Sequence, residues 1–196
     1  AICLTTMLLV IISTVGNGVI HLQKSQAAGS YGSNYGLFVS ADGSQLKEVN
    51  RRAEIDATGT MCTEGIIKGN EKGGFVCMDE TARKMLPYNK EYELKEGKYP
   101  EKMQEIAAGR AFFRAMGYGD VKIGDTVTLD YRAGMQSEYK PEEFVVSGIL
   151  YDRDEYTIEA SYVAFGSQEF YDEHIAENDR QYNICLLYTS PSPRDA

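Results

Sequence analysis

The first 23 residues of this chain of 196 residues contain no Asp, Glu, Lys or Arg, although charged residues make up 25% of the whole sequence. This segment is rich in Ile, Leu, Val and Met, and about 20 helical residues span the hydrocarbon layer of a bilayer. Residues 1–23 therefore predict a transmembrane helix, and we expect that helix to begin before Ala1. The alternative is a secretory signal peptide that is cleaved near Ala27 and Ala28.

The acidic charge lies entirely on residues 24–183. The chain has 29 acidic and 20 basic residues, which gives a net charge of −9, and the charges of Arg194 and Asp195 cancel. Binding to a phosphate backbone requires clustered Lys and Arg, so we expect no nucleic-acid partner. A hydrophobic content of 43% is sufficient for a packed core.

Changes in composition divide the chain into four parts. Residues 24–36 form a linker rich in Gly, Ser and Tyr, and residues 37–183 have the patterns of a folded domain. Residues 184–196 resemble a translated sequencing adaptor, and we interpret them as a non-native tail outside the domain. A native disordered tail is the alternative.

The central domain combines strand and helix patterns. Apolar or alternating runs predict strands at residues 37–41, 55–68, 73–78, 126–131, 144–150 and 161–165. Helical spacing and capping residues predict short helices after Asp42 and Asp79, before Gly117, and over residues 167–177. Strands and helices do not alternate regularly as they do in a doubly wound sheet. We therefore predict an α+β domain that follows a transmembrane helix.

No pattern predicts a catalytic, cofactor-binding or metal-binding site. The chain lacks a phosphate-binding loop, paired metal-ligand spacings and a nucleophile turn. We interpret His21 and His174 as packing or interface residues. Cys62 and Cys77 either form a disulfide or remain two buried thiols, and we favour the thiols.

Five short patterns follow one another in a defined order. They are Leu94-x-x-Gly97-x-x-Pro100, Glu105-Ile106-Ala107, a helix that ends at Gly117, Ile123-Gly124-Asp125-Thr126-Val127, and Phe144-Val145-Val146-Ser147-Gly148-Ile149. This order, behind a membrane-type segment, resembles the extracytoplasmic MacB-like core domain of FtsX-like/MacB-type ABC transporter permeases, mainly over residues 90–165. Turns, caps and close backbone approaches account for each pattern, so we expect these residues to be structural and not catalytic.

The resemblance implies a fragment of a bacterial permease subunit. In such a subunit the chain is integral to the cell membrane, and its main domain is extracytoplasmic. The implied partners are a cytoplasmic ABC ATPase subunit, a second permease subunit and the lipid bilayer. The implied function is to couple ATP hydrolysis by the separate ATPase to export or to an extracytoplasmic conformational change. The alternative function is a membrane-tethered or secreted binding domain that recruits an extracellular partner.

Overall fold

The computed structural model describes residue 7 and residues 36–85, 92–152 and 162–188. Within these ranges the chain forms nine strands and four short α-helices. The strands are β1 Gly36–Ala41, β2 Ile55–Ile67, β3 Gly74–Met78, β4 Leu94–Gly97, β5 Glu105–Gly109, β6 Thr126–Arg132, β7 Lys140–Leu150, β8 Val163–Phe165 and β9 Tyr182–Tyr188. The helices are α1 Gly43–Val49, α2 Glu80–Met85, α3 Arg110–Ala115 and α4 Gln168–His174, and a 3-10 turn covers Glu177–Asp179.

All nine strands belong to one mixed sheet in the order β1-β9-β2-β3-β8-β5-β7-β4, and β6 pairs with both β2 and β7. The pairings β2–β3, β3–β8, β8–β5, β5–β7, β7–β6 and β6–β2 therefore close a ring of six strands. Strands β1 and β9 extend from β2, and β4 extends from β7. The mixed sheet and its few short helices confirm the α+β class.

The main core is formed by side chains of the ring strands and of two helices. Phe112 and Phe113 of α3 and Phe170 of α4 are almost completely buried within this core. Phe75 of β3 makes edge-to-face ring contacts with Tyr131, Phe144 and Phe170, at centroid distances of 6.0, 5.7 and 5.6 Å. Such contacts add to the stabilisation that comes from burial alone.

Several local predictions are confirmed. Asp42 caps α1 in a capping box with Gln45, and the Asp79 carboxylate accepts a hydrogen bond from the Ala82 N–H. In β6 the side chains of Val127, Leu129 and Tyr131 are buried, whereas the alternate residues are exposed. The alternation of apolar and polar residues along β6 therefore identified the buried face of this strand correctly.

The predicted C-terminal boundary of the domain is wrong for residues 184–188. These residues belong to β9, which lies between β1 and β2, and Ile184, Cys185 and Leu186 are buried. A continuous apolar run such as this one pairs in the sheet whatever its origin, because the backbone supplies the hydrogen bonds. The structure thus moves the end of the folded domain to Tyr188. The interpretation of residues 184–196 as non-native stays a prediction.

Most of the two predicted terminal segments lies outside the described residues. Of residues 1–35 only Met7 is described, and residues 189–196 are not described. Within the described part of the chain, no helix has the length and apolarity needed to cross a membrane. The transmembrane helix at residues 1–23 and the linker at residues 24–36 therefore stay predictions.

Candidate functional site

Strand β7 brings many of the sequence patterns together. Gly148 of β7 is the register partner of Gly97 in β4 and also of Ala107 in β5. At the neighbouring position of the β5–β7 ladder Ile106, which is completely buried, pairs with Val146. The patterns at residues 94–100 and 105–107 thus meet on the strand that carries the pattern at residues 144–149.

Gly97 and Gly148 allow β4 and β7 to approach each other closely. Gly97 has a φ of +82°, which side chains with a Cβ rarely tolerate. A Cβ atom on Gly148 would lie 2.5 Å from the Lys98 carbonyl oxygen and 2.6 Å from Leu94 Cδ2. Both positions therefore require glycine for steric reasons.

The Gly124-Asp125 turn is attached to β7 by its backbone. The Gly124 N–H donates to the Val146 carbonyl over 2.8 Å, and the Val146 N–H donates to the Asp125 carbonyl over 2.9 Å. The Asp125 carboxylate accepts a hydrogen bond of 2.8 Å from the Lys122 N–H, which closes the turn. Gly124 has a φ of +93°, as a reversal at this point requires.

Glu105 fixes the segment that joins β4 to β5. Its Oε2 atom accepts hydrogen bonds from the Glu101 N–H at 2.8 Å and the Lys102 N–H at 3.1 Å, and its Oε1 atom lies 3.3 Å from Lys98 Nζ. Burial raises the pKa of Glu105, but these hydrogen bonds and the lysine outweigh it, so that the pKa is lowered. The negatively charged carboxylate therefore fixes the backbone of the turn that contains Pro100.

Gly117 has a separate role from the residues around β7. It follows α3 with a φ of +89°, and its N–H donates to the Arg114 carbonyl over 3.0 Å. A Cβ atom at this position would have no neighbour within 4 Å. Gly117 therefore ends a helix, and it does not create a close approach of two strands.

A cleft of about 320 Å³ lies beside Pro100. The Arg83 guanidinium stacks over the Tyr99 ring at 4.1 Å, and the Arg83 side chain also donates to the Met78 carbonyl. Cys77 and Gln168 line another wall, where the thiol donates to the Gln168 side-chain oxygen over 3.5 Å. The cleft therefore combines a held cation and an aromatic face with neutral polar groups and with two acidic residues, Asp79 and Glu101.

Glu64 is a buried acid that the sequence patterns did not single out. Its side chain is completely buried against the backbone of Gly166, and neither carboxyl oxygen has a hydrogen-bond partner among the described residues. Burial, together with Cys77, raises the pKa of Glu64 well above its usual value. The sequence indicates this buried acid only weakly, as one acidic residue in the part of β2 that also contains Cys62, Ile66 and Ile67.

Cys62 and Cys77 face each other across the β2–β3 pair. Both side chains are buried and both cysteines are free, as the sequence analysis favoured. The neighbouring Cys62 thiol and burial raise the pKa of Cys77. A protonated thiol is a poor nucleophile, so this pair is not set up for nucleophilic chemistry.

The described residues do not assemble a catalytic centre. His174 Nδ1 is bonded to the Phe170 carbonyl at 2.9 Å, and its ring stacks on the Phe170 ring at 3.9 Å. His174 Nε2 lies 3.8 Å from Glu142 Oε1, and these contacts show that the histidine is a packing residue. No group of three or more His, Cys, Asp or Glu side chains in the described ranges could hold a metal ion.

Comparison with solved structures identifies the fold. The chain is similar to the periplasmic region of MacB from Actinobacillus actinomycetemcomitans, with a TM-score of 0.50 and 12% identity over 81% of this chain and 70% of that one. A domain of a proposed permease from Porphyromonas gingivalis aligns with a TM-score of 0.44 and 16% identity, over 83% of this chain and 73% of that one. No protein-family model matches the chain, and no curated protein matches it.

The domain therefore has the fold of the MacB periplasmic region. This result confirms the fold that the ordered patterns around Gly97, Gly124 and Gly148 led us to expect. The structure adds a physical reason for these glycines. Gly97 and Gly148 lie where β4 and β7 approach closely, and Gly124 lies in the turn before β6 with a positive φ.

Proposed function

We propose that this chain is part of a permease subunit of an ABC transporter and that residues 36–188 form most of its extracytoplasmic core domain. The observation that carries the proposal is the fold shared with the periplasmic region of MacB. The packing of Gly97, Glu105 and Gly148 around β7 supports it, because these residues belong to the patterns that resemble the permease family. The proposed location is an integral position in the cell membrane with this domain outside the cytoplasm.

In this proposal the domain moves as one body that is driven from the membrane. The closed ring of six strands and its aromatic core favour rigid-body movement over internal deformation. Strand β1 begins at Gly36, the last residue of the predicted linker, so a displacement of the predicted membrane helix would reach the domain there. Coupling between distant sites requires an element with two arrangements, and the predicted helix with its linker is our candidate.

The energy source in this proposal is ATP that a separate cytoplasmic ATPase subunit hydrolyses. The resemblance of the ordered sequence patterns to the permease family supports this division of labour between two polypeptides. The permease subunit itself is then not an enzyme, and it acts as a dimer within the bilayer. Its output is export or a conformational change outside the cytoplasm.

One observation favours the alternative, a tethered or secreted binding domain. The cleft beside Pro100 holds the Arg83 cation against Tyr99 and opens to solvent. An aromatic face beside side chains of both charge signs suits an extracellular partner with exposed polar and charged groups. Binding there would require neither ATP nor further membrane helices.

The test is to express the complete permease with its neighbouring ATPase and to follow export or resistance to extracellular compounds. A matched strain carries the ATPase with its catalytic carboxylate replaced by the amide. We expect the disabled ATPase to abolish activity while the permease remains at normal abundance. Full activity with the disabled ATPase would refute the permease proposal and favour the tethered binding domain.

A further inference from the structure

The two ends of the strand order differ in charge. Strand β4, at one end, carries Lys95 and Glu96, which are both exposed. Strand β1, at the other end, has no charged residue between Gly36 and Ala41. Charged residues on an edge strand discourage pairing with another chain, so β4 is protected by charge, whereas β1 has only a bulge between Phe38 and Ala41.

Strand β1 also exposes three consecutive apolar side chains. Leu37, Phe38 and Val39 are 52%, 52% and 67% exposed. Successive side chains of a strand point to opposite faces, so apolar groups project from both faces of this edge. An exposed apolar edge of this kind is a template for the addition of a further strand.

Each face of β1 adjoins a cleft. Phe38 lines a cleft of about 320 Å³ together with Val49 of α1. Val39 lines a second cleft of about 240 Å³ together with Tyr171 of α4. A strand added to the edge of β1 would therefore find space for its side chains on both faces of the sheet.

A second copy of this chain suits this edge because of its charge. Two copies that each carry a net charge of −9 repel each other, so a contact between them is least unfavourable where neither copy presents charge. Antiparallel pairing of two β1 strands across a two-fold axis places only uncharged side chains opposite one another. It brings both Phe38 rings to one face and the Leu37 and Val39 side chains to the other. The resulting contact is isologous and closed.

We propose that β1 is the edge on which a second copy of this chain docks, by antiparallel pairing of the two β1 strands. This proposal deepens the proposed permease function by naming an interface. The interface proposal rests on the permease function in one respect: anchoring in the same bilayer raises the effective concentration of the two copies. An interface formed by one strand from each copy buries little surface area. We therefore expect the dimer to be stable only when both copies are anchored in the same bilayer.

The test uses thiol cross-linking of the full chain in lipid vesicles. Phe38→Cys is treated with a short bismaleimide, which tolerates differences in register, and Met135→Cys is the matched control. Met135 is an exposed apolar residue, 76% exposed, in the loop between β6 and β7. The unsubstituted chain measures the background from the native cysteines, of which Cys62, Cys77 and Cys185 are buried. Circular dichroism establishes that each variant is folded.

We expect a cross-linked dimer with Phe38→Cys that is at least roughly tenfold more abundant than with Met135→Cys. Adding Leu37→Lys and Val39→Lys to Phe38→Cys should return the dimer to background, because lysines on an edge oppose pairing. Equal cross-linking at positions 38 and 135 would overturn the proposal. A second result would also overturn the proposal: the thiol at position 38 forms no dimer and does not react with a water-soluble maleimide. Residues 24–35 or lipid would then cover the edge. The assay needs no ATPase, so its failure is distinguishable from failure of the permease function.

Discussion

At the scale of single residues, the patterns around β7 are explained by steric requirements. Gly97 and Gly148 pair where two strands approach closely, and Glu105 binds the turn between β4 and β5 with its carboxylate. None of these residues belongs to a group that could hold a metal ion in the described part of the chain. Their contribution is to the free energy of folding, and it is measurable.

Gly148→Ala tests the close approach directly. The added Cβ atom would lie 2.5 Å from the Lys98 carbonyl oxygen, so the strands must separate. We expect the free energy of unfolding to fall by about 1–3 kcal/mol in urea titrations. Gly119→Ala is the matched control, because a Cβ atom at that position meets nothing within 4 Å. An equal loss in both variants would contradict the steric explanation.

Glu64 predicts a dependence of stability on pH. Its pKa is raised in the folded state, mainly by burial, so its contribution to stability is complete below the unfolded value of about 4.3. That contribution is lost as the pH rises from about 4.3 through the folded pKa. Glu64→Gln keeps the shape of the side chain and removes the titration.

We therefore expect Glu64→Gln to become progressively more stable than the wild type as the pH is raised from about 4 to about 8. The measurement is the free energy of unfolding in urea at each pH. Glu143→Gln, at an exposed position on β7, should follow the wild-type curve. Parallel curves for wild type and Glu64→Gln would show that Glu64 is not a buried neutral acid.

At the scale of elements, the β2–β3 pair tests the role of its two thiols. Cys62 and Cys77 are direct register partners, and both are free in the structure. Strand pairing and burial hold these elements together without a disulfide. We expect the melting temperature of the wild type to be the same with and without a reducing agent.

Replacing both cysteines with Ala should leave the domain folded, with a loss of about 1 kcal/mol for each buried sulfur that is removed. Circular dichroism and urea unfolding would measure this. A melting temperature that drops only under reducing conditions would mean that the pair forms a stabilising disulfide.

At the scale of the whole molecule, the proposed topology makes the domain accessible from outside the cell. We expect protease added to intact cells, or to spheroplasts of a cell with an outer membrane, to degrade residues 36–188. A cytoplasmic protein in the same cells is the control for membrane integrity. Protection of the domain would refute this topology, and a mature protein that begins near Ala28 would favour the signal-peptide alternative.

The local patterns of the sequence determined most individual elements. Asp42 with Gln45 predicted the start of α1, and the alternation from Thr126 to Tyr131 predicted both β6 and its buried face. These predictions succeeded because capping and side-chain alternation depend on residues close together in the chain. The order of the patterns around Gly97 and Gly148 also indicated the fold, through resemblance to a family.

Only the tertiary structure decided which strands are neighbours. The closure of the ring through β6, the pairing of Gly97 with Gly148 and the insertion of β9 between β1 and β2 join residues that are far apart in sequence. A segment such as residues 184–188 looks separate because its composition changes, yet its backbone completes the sheet. Likewise, burial of Glu64 and exposure of Leu37, Phe38 and Val39 follow from what the rest of the chain packs against. Sequence patterns fix what each segment prefers locally, and the long-range competition for buried area and backbone hydrogen bonds decides where it lies.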